Sequence, residues 1–117
     1  MKEKANSSTV PLAVQDCREL LLWMIPVLDK LPRQRRYVLG EKLENRVLTV
    51  LEALISAAWT RDKRPMLIQA NRDLEVCRHL WRLCHDLQGV SHRQYEHGSQ
   101  LMFQLGRQIG GWLKSST

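Results

Sequence analysis

Apolar residues recur at intervals of three and four along four successive stretches of this sequence, and this periodicity constrains the fold more than any other feature. Such intervals place side chains on one face of an α-helix. Proline or glycine interrupts the pattern at Pro32, Pro65 and Gly89. The sequence therefore predicts four amphipathic helices joined by very short connections, over about residues 12–31, 32–59, 65–88 and 91–114.

Helices of similar length joined by short connections favour antiparallel neighbours, so we predict an all-α, up-down-up-down four-helix bundle. A chain of 117 residues suits a single hydrophobic core. We expect one bundle domain over residues 12–114, a flexible N-terminal tail over residues 1–11 and a flexible C-terminal tail over residues 115–117.

Several residues indicate where individual helices begin and end. Pro32 and Pro65 suit the first helical position, whose fixed φ proline already satisfies. We expect Gly89 to end the third helix, and Ser91 with Gln94 to form a capping box that starts the fourth. The apolar face of the second helix is expected to begin at Tyr37.

The chain is basic, with 18 Lys and Arg against 12 Asp and Glu, a net charge of +6 and mostly arginine. Arginine pairs with phosphate through two parallel hydrogen bonds, so this balance favours polyanionic partners. In an antiparallel hairpin of helices two and three, two basic clusters lie at opposite ends with an arginine row between them. A continuous basic ridge contacting phosphates rather than stacked bases is one interpretation, and a solvated surface is the other. The residues are Arg33, Arg35, Arg36, Arg61, Lys63, Arg64, Arg72, Arg78 and Arg82.

Two acids, Glu44 and Asp73, project onto apolar helix faces and are the only candidates for acid/base catalysis. No histidine or nucleophile converges on them in the sequence pattern. We therefore favour a structural interpretation, in which each acid is buried, is held by an arginine or a helix-end amide, and fixes the packing. We expect no catalytic residue and no cofactor.

Cysteines and histidines are numerous enough to raise the question of a metal site. Four metal ligands must converge, and these residues fall on different helix faces. We predict no metal site and interpret the cysteines as free, buried residues in a reducing cytoplasm. No apolar run is long enough to span a membrane. The residues considered are Cys17, Cys77, Cys84, His79, His85, His92 and His97.

Trp23 and Trp59 fall outside the main apolar faces of their helices, so each is expected to need a second partner. The runs LPRQRRYVLGEKLEN, RDKRPMLIQANRDLEVCRHLWRL, SHRQYEH and IGGWLK, in this order and spacing, closely resemble the accessory variability determinant proteins of diversity-generating retroelements. These belong to a wider four-helix-bundle family that includes proteins encoded by intervening sequences of bacterial 23S ribosomal RNA genes.

The resemblance implies a homopentameric barrel of bundles with a basic surface. It also implies association with the retroelement reverse transcriptase, with its template-repeat RNA and with cDNA, in support of mutagenic copying and without catalysis. A pentamer would give Trp23 and Trp59 a use as anchors between subunits. The alternatives are a structural or protein-binding helical oligomer without a nucleic-acid role, and an enzyme.

Overall fold

The computed structural model describes residues 10–116, so residues 1–9, with most of the predicted N-terminal tail, and residue 117 lie outside it. Four helical rods make up the described chain, which confirms the all-α prediction. The second rod, α2, consists of three consecutive helical segments. The bounds are α1 Leu12–Asp29; α2 Arg33–Arg35, Arg36–Gly40 and Glu41–Ala58; α3 Arg64–Asp86; and α4 His92–Ser115.

Each helix packs against the next one along the chain, and α4 closes the bundle by packing against α1. Contacts at two heights give the helix directions. Trp81 of α3 contacts Tyr95 of α4, and Arg78 of α3 contacts Met102 of α4. Residue numbers therefore fall along α3 as they rise along α4, so these two helices are antiparallel. The same reversal relates α1 to α2 and α2 to α3, and the bundle is antiparallel throughout.

The core is built from the apolar faces that the periodicity predicted. Its largest fully buried side chains come from all four helices, with Trp81 the largest. Burial of this kind contributes roughly 1.5–3 kcal/mol for each large side chain and supplies most of the stability of the bundle. The others are Leu20, Met24, Leu43, Leu54, Leu67, Leu74, Met102, Leu105, Ile109, Val47 and Val50.

One turn of α2 is a π-helix, Arg36–Gly40, and the sequence pattern did not predict it. The extra residue in this turn changes the phase of the helix, and Tyr37 is exposed instead of beginning the apolar face as expected. Gly40 is buried against the connection between α1 and α2, where an added Cβ would lie 2.9 Å from Leu31 Cδ1. The sequence pattern could not predict this turn, since a periodicity of 3.6 residues contains no information about one inserted residue.

The connection between α3 and α4 confirms one prediction and corrects another. The Ser91–Gln94 capping box is present. The left-handed residue that ends α3 is Gln88, with φ 62°, rather than Gly89. Gly89 donates its N–H to Cys84 O at 2.8 Å, and an added Cβ would lie 2.8 Å from Leu31 Cδ2. Glycine is required at position 89 by close packing, and not by a positive φ.

Candidate nucleic-acid interface

The basic residues of the candidate interface divide into exposed side chains and side chains that stabilise the bundle. Within the first basic cluster, Arg33 is exposed and Arg35 is half-buried. Arg36 donates a hydrogen bond to Asp29 O at 3.0 Å, and its guanidinium lies 5.0 Å from the ring centre of Tyr37. Arg36 thus satisfies a carbonyl at the end of α1, where a cation is also favoured by the helix dipole.

The second cluster, at the start of α3, shows the same division. Lys63 Nζ donates to Ala57 O and to Thr60 O, both at 2.8 Å, so the ammonium caps the end of α2. Arg61 and Arg64 beside it are exposed. Because α2 and α3 are antiparallel, this cluster lies at the opposite end of the hairpin from Arg33.

The row of arginines along α3 does not form one line of free guanidinium groups. Arg78 turns toward α4, where it donates to Met102 O at 3.5 Å, and it also donates to Glu75 Oε1 at 2.9 Å. Arg82 pairs with Asp86 at 3.6 Å. Arg72 is exposed, and it makes no hydrogen bond or ion pair with any residue in the range 10–116.

Arg46 is a basic residue of this surface that the sequence analysis did not select. Its Nη1 donates to Asp73 Oδ1 at 3.2 Å. Arg46 and Lys42, with Asn45 and Thr49, line a shallow depression of about 330 Å³ on α2. The sequence contained one indication of Arg46: Asp73 lies on an apolar helix face, and a carboxylate there needs a partner such as an arginine.

The two candidate acids do not form a catalytic pair. Asp73 is only 5 % exposed and is held by Arg46, as predicted, with Gln69 Nε2 a further donor at 3.4 Å. Glu44 contradicts the prediction, because it is half-buried on the α1 side of α2 and has no hydrogen-bond or ion-pair partner within residues 10–116. A half-exposed carboxylate remains hydrated and needs no such partner.

All three cysteines are free and buried, in agreement with the interpretation as small apolar residues. Burial raises the pKa of the Cys17 and Cys77 thiols to about 12, and that of Cys84 to about 11. Protonated thiols are poor nucleophiles and poor metal ligands. No group of three or more His, Cys, Asp and Glu side chains in the described chain could hold a metal ion.

The two outlying tryptophans occupy different environments. Trp23 is half-buried and packs within the chain, with its ring 6.0 Å from that of Trp81 and 4.8 Å from that of His97. Its position therefore has an explanation within one subunit. Trp59 is 89 % exposed, beside Ile55 and Ala58 at the end of α2. A role in a subunit interface stays a prediction for both residues.

Within the part of the chain that the structure describes, no helix combines the length and apolar character needed to cross a membrane. A search of curated proteins finds no match. A family model described as bAvd-like, for the bacterial accessory variability determinant proteins, matches residues 12–116, which include all four helices. The chain therefore belongs to the bAvd-like family.

Proposed function

We propose that this chain is a homo-oligomeric accessory protein, pentameric as the resemblance implies, that binds the reverse transcriptase and template-repeat RNA of a diversity-generating retroelement and supports mutagenic cDNA synthesis. Family membership implies an accessory role in such an element, and proteins of this family are generally non-catalytic. The observation that carries the RNA-binding part is the presence of exposed arginines at opposite ends of the α2–α3 hairpin, Arg33 at one end and Arg61 with Arg64 at the other.

The structure refines which basic side chains are proposed to contact phosphate. Arg33, Arg61, Arg64 and Arg72 are exposed and have no acidic partner within residues 10–116. Arg36, Lys63 and Arg78 already donate to backbone carbonyl groups, so binding RNA through them would sacrifice contacts that hold the bundle together. We therefore assign the largest contribution to Arg33, Arg61 and Arg64 of the two clusters, with Arg35 at the margin.

The test is a gel-shift titration of template-repeat RNA at several salt concentrations. The variant Arg33→Ala/Arg35→Ala should bind RNA more weakly. The slope of its log binding constant against log salt concentration should become shallower by about 0.7–0.9 for each lost phosphate contact. The matched control, Arg93→Ala/Arg107→Ala, removes the same charge from exposed positions on α4. Equal losses in both variants would show that net charge, and not this cluster, determines binding.

The second candidate is a protein-binding oligomer without a nucleic-acid role, and exposed apolar side chains such as Trp59 and Val38 favour it. The same titration separates the two candidates. If the unaltered protein shows no salt-dependent binding of RNA while it still binds the reverse transcriptase after nuclease treatment, the second candidate is correct.

A further inference from the structure

An apolar row lies along the outside of α3, and three of its four side chains are exposed. Val76, Leu80, Leu83 and Leu87 follow one another at intervals of four, three and four, the spacing of a coiled-coil seam. Val76, Leu83 and Leu87 are 37, 46 and 47 % exposed. Leu80 lies two helical turns after Asp73, whose carboxylate contacts α2, so the row follows the α2 side of α3.

Cations border this row. Lys42 and Arg46 lie one turn apart on the side of α2 that faces α3, because Arg46 contacts Asp73 there. Arg72 is exposed one turn before Val76. Asp73 itself is buried and paired with Arg46, so it does not offset the remaining cations at the surface. We call this surface, the apolar row with Lys42, Arg46 and Arg72, the basic face.

A second apolar surface lies between α1 and α2 and has the opposite charge. Asp29, Glu41 and Glu44 line a depression of about 460 Å³ there, together with one cation, Arg36. Leu22, which is 65 % exposed, lies two turns before Asp29 and so on the same side of α1. Leu48 follows Glu44 by one turn.

The apolar surface continues along α2 toward its end. Ile55 is 43 % exposed and lies on the α1 side of α2, where it lines a depression with Val14. We call Leu22, Leu48 and Ile55, with Asp29, Glu41 and Glu44, the acidic face. Arg18, one turn before Leu22, is a second cation near it, so the carboxylates of the acidic face outnumber its cations.

The two faces are opposite in charge and similar in apolar character, and their charged residues on α2 lie at the same height of the bundle. Along α2, Lys42 of the basic face lies between Glu41 and Glu44 of the acidic face, while the charge of Arg46 is already paired with Asp73. We propose that the basic face of one copy of this chain docks on the acidic face of a second copy. This inference rests on the oligomeric state in the proposed function and deepens it by assigning the surfaces.

Docking of two different faces is a head-to-tail contact, in which every added copy leaves one face of each kind free until a ring closes. The faces share α2 and lie on neighbouring sides of the bundle, not on opposite sides. Successive copies therefore turn in one direction, as closure into a ring requires. Trp59 follows Ile55 by one turn and would lie at the edge of the contact, which agrees with its predicted place in an interface.

The test blocks one face at a time and then mixes the variants. Leu22→Lys places a cation on the acidic face, where it would oppose the cations of the basic face. Leu83→Glu places a carboxylate on the basic face, where it would oppose the carboxylates of the acidic face. Both positions are exposed, so the circular dichroism of each variant should be that of a folded bundle. Each variant alone should no longer form the ring, and light scattering should give the molar mass of a monomer. Because each keeps the face that the other has lost, their mixture should form a one-to-one dimer of twice 13.7 kDa and nothing larger.

Phe103→Glu is the matched control, since Phe103 is 64 % exposed on α4, outside both faces, and this variant should keep the mass of the unaltered protein. If one blocked variant fails to fold, Ile55→Lys replaces it on the acidic face or Leu87→Glu replaces it on the basic face. A monomeric unaltered protein, a blocked variant that keeps the full mass, or a mixture without dimer would each overturn the proposal. RNA titration of the unaltered protein is independent of this result, so failure of RNA binding is distinguishable from failure of the interface.

Discussion

Helix α3 contacts its two neighbours in different ways. On the α4 side the contact depends on shape: the ring of Trp81 packs on Gly98, and its Nε1 donates to Tyr95 O at 3.0 Å. On the α2 side the contact includes a buried charge, Asp73, whose Oδ1 pairs with Arg46. The other oxygen, Oδ2, is buried without a hydrogen-bond partner within residues 10–116.

The difference shows what each side of α3 tolerates. Close packing on the α4 side has no room for one additional methyl group, because interiors are packed as densely as organic crystals. The ion pair on the α2 side tolerates changes of shape, since Arg46 is partly exposed and can move. It does not tolerate loss of the cation alone, which would leave a carboxylate buried.

The largest effect is expected for Gly98→Ala on the α4 side. The added Cβ would lie 2.7 Å from Trp81 Cζ2, and the fully buried ring cannot move away without losing its hydrogen bond. We expect the free energy of unfolding to fall by about 2–3 kcal/mol, as for other overpacked cores. Urea denaturation measures this change.

Gly110→Ala is the control, because an added Cβ there meets no atom within 4 Å. Alanine is favoured over glycine within a helix, so this substitution should stabilise the protein by up to about 1 kcal/mol. If both substitutions change stability in the same direction, the account of the α4 side as a contact of fixed shape is wrong.

On the α2 side, loss of Arg46 and loss of Asp73 should change the free energy of unfolding by different amounts. Arg46→Ala leaves the carboxylate of Asp73 buried with only Gln69 as a donor, and we expect a loss of about 2 kcal/mol, less than for a fully buried pair. Asp73→Leu removes the buried charge and lets Arg46 reach solvent, so it should change stability by less than about 1 kcal/mol.

Chemical denaturation under identical conditions measures the free energy of unfolding of both variants, Arg46→Ala and Asp73→Leu. A larger loss for Asp73→Leu than for Arg46→Ala would mean that the pair itself, rather than the cost of an unpaired carboxylate, holds the two helices together.

A smaller effect, a gain in stability, is expected for a substitution in the connection between α3 and α4. Gln88 holds a left-handed conformation that costs a residue with a Cβ about 1 kcal/mol. Gln88→Gly removes this cost, so it should raise the free energy of unfolding by about 0.5–1 kcal/mol and raise the melting temperature. Gly89→Ala, one position further on, should destabilise the protein, because its Cβ would meet Leu31.

The smallest effect concerns Asp16, a second acid with a buried oxygen, for which residues 10–116 provide neither a hydrogen-bond partner nor an arginine like Arg46. Burial, with a smaller contribution from the charge of Glu19, raises the pKa of the Asp16 carboxyl. A raised pKa in the folded state means that ionised Asp16 destabilises the fold at neutral pH, and that protonation removes this penalty as the pH falls.

Asp16→Asn should therefore raise the melting temperature slightly at about pH 7, and the gain should disappear by about pH 3, which lies below the ordinary pKa of an aspartate carboxyl. Thermal unfolding followed by circular dichroism at the two pH values measures the difference. An equal gain at both values would show that removal of the charge is not its cause.

Some features of the site followed from the sequence because they depend on neighbouring residues. Ser91 and Gln94 form their capping box within a single turn. The prediction that an arginine or a helix-end amide holds Asp73 also succeeded, with Arg46 as the partner, because a buried carboxylate must be paired or hydrogen-bonded whatever the fold. The same argument failed for Glu44, since its position on an apolar helix face did not reveal that the surrounding surface leaves it half-exposed.

The sequence by itself determined four amphipathic helices, their approximate ends and a basic chain, because helical periodicity and capping act over a few residues. Only the tertiary structure decided which cations remain at the surface. Arg36, Lys63 and Arg78 look like Arg33 and Arg61 in the sequence, yet each of the three reaches a backbone carbonyl that packing brings near. Long, flexible basic side chains bind whatever acceptor lies within reach, and the fold determines which acceptors those are.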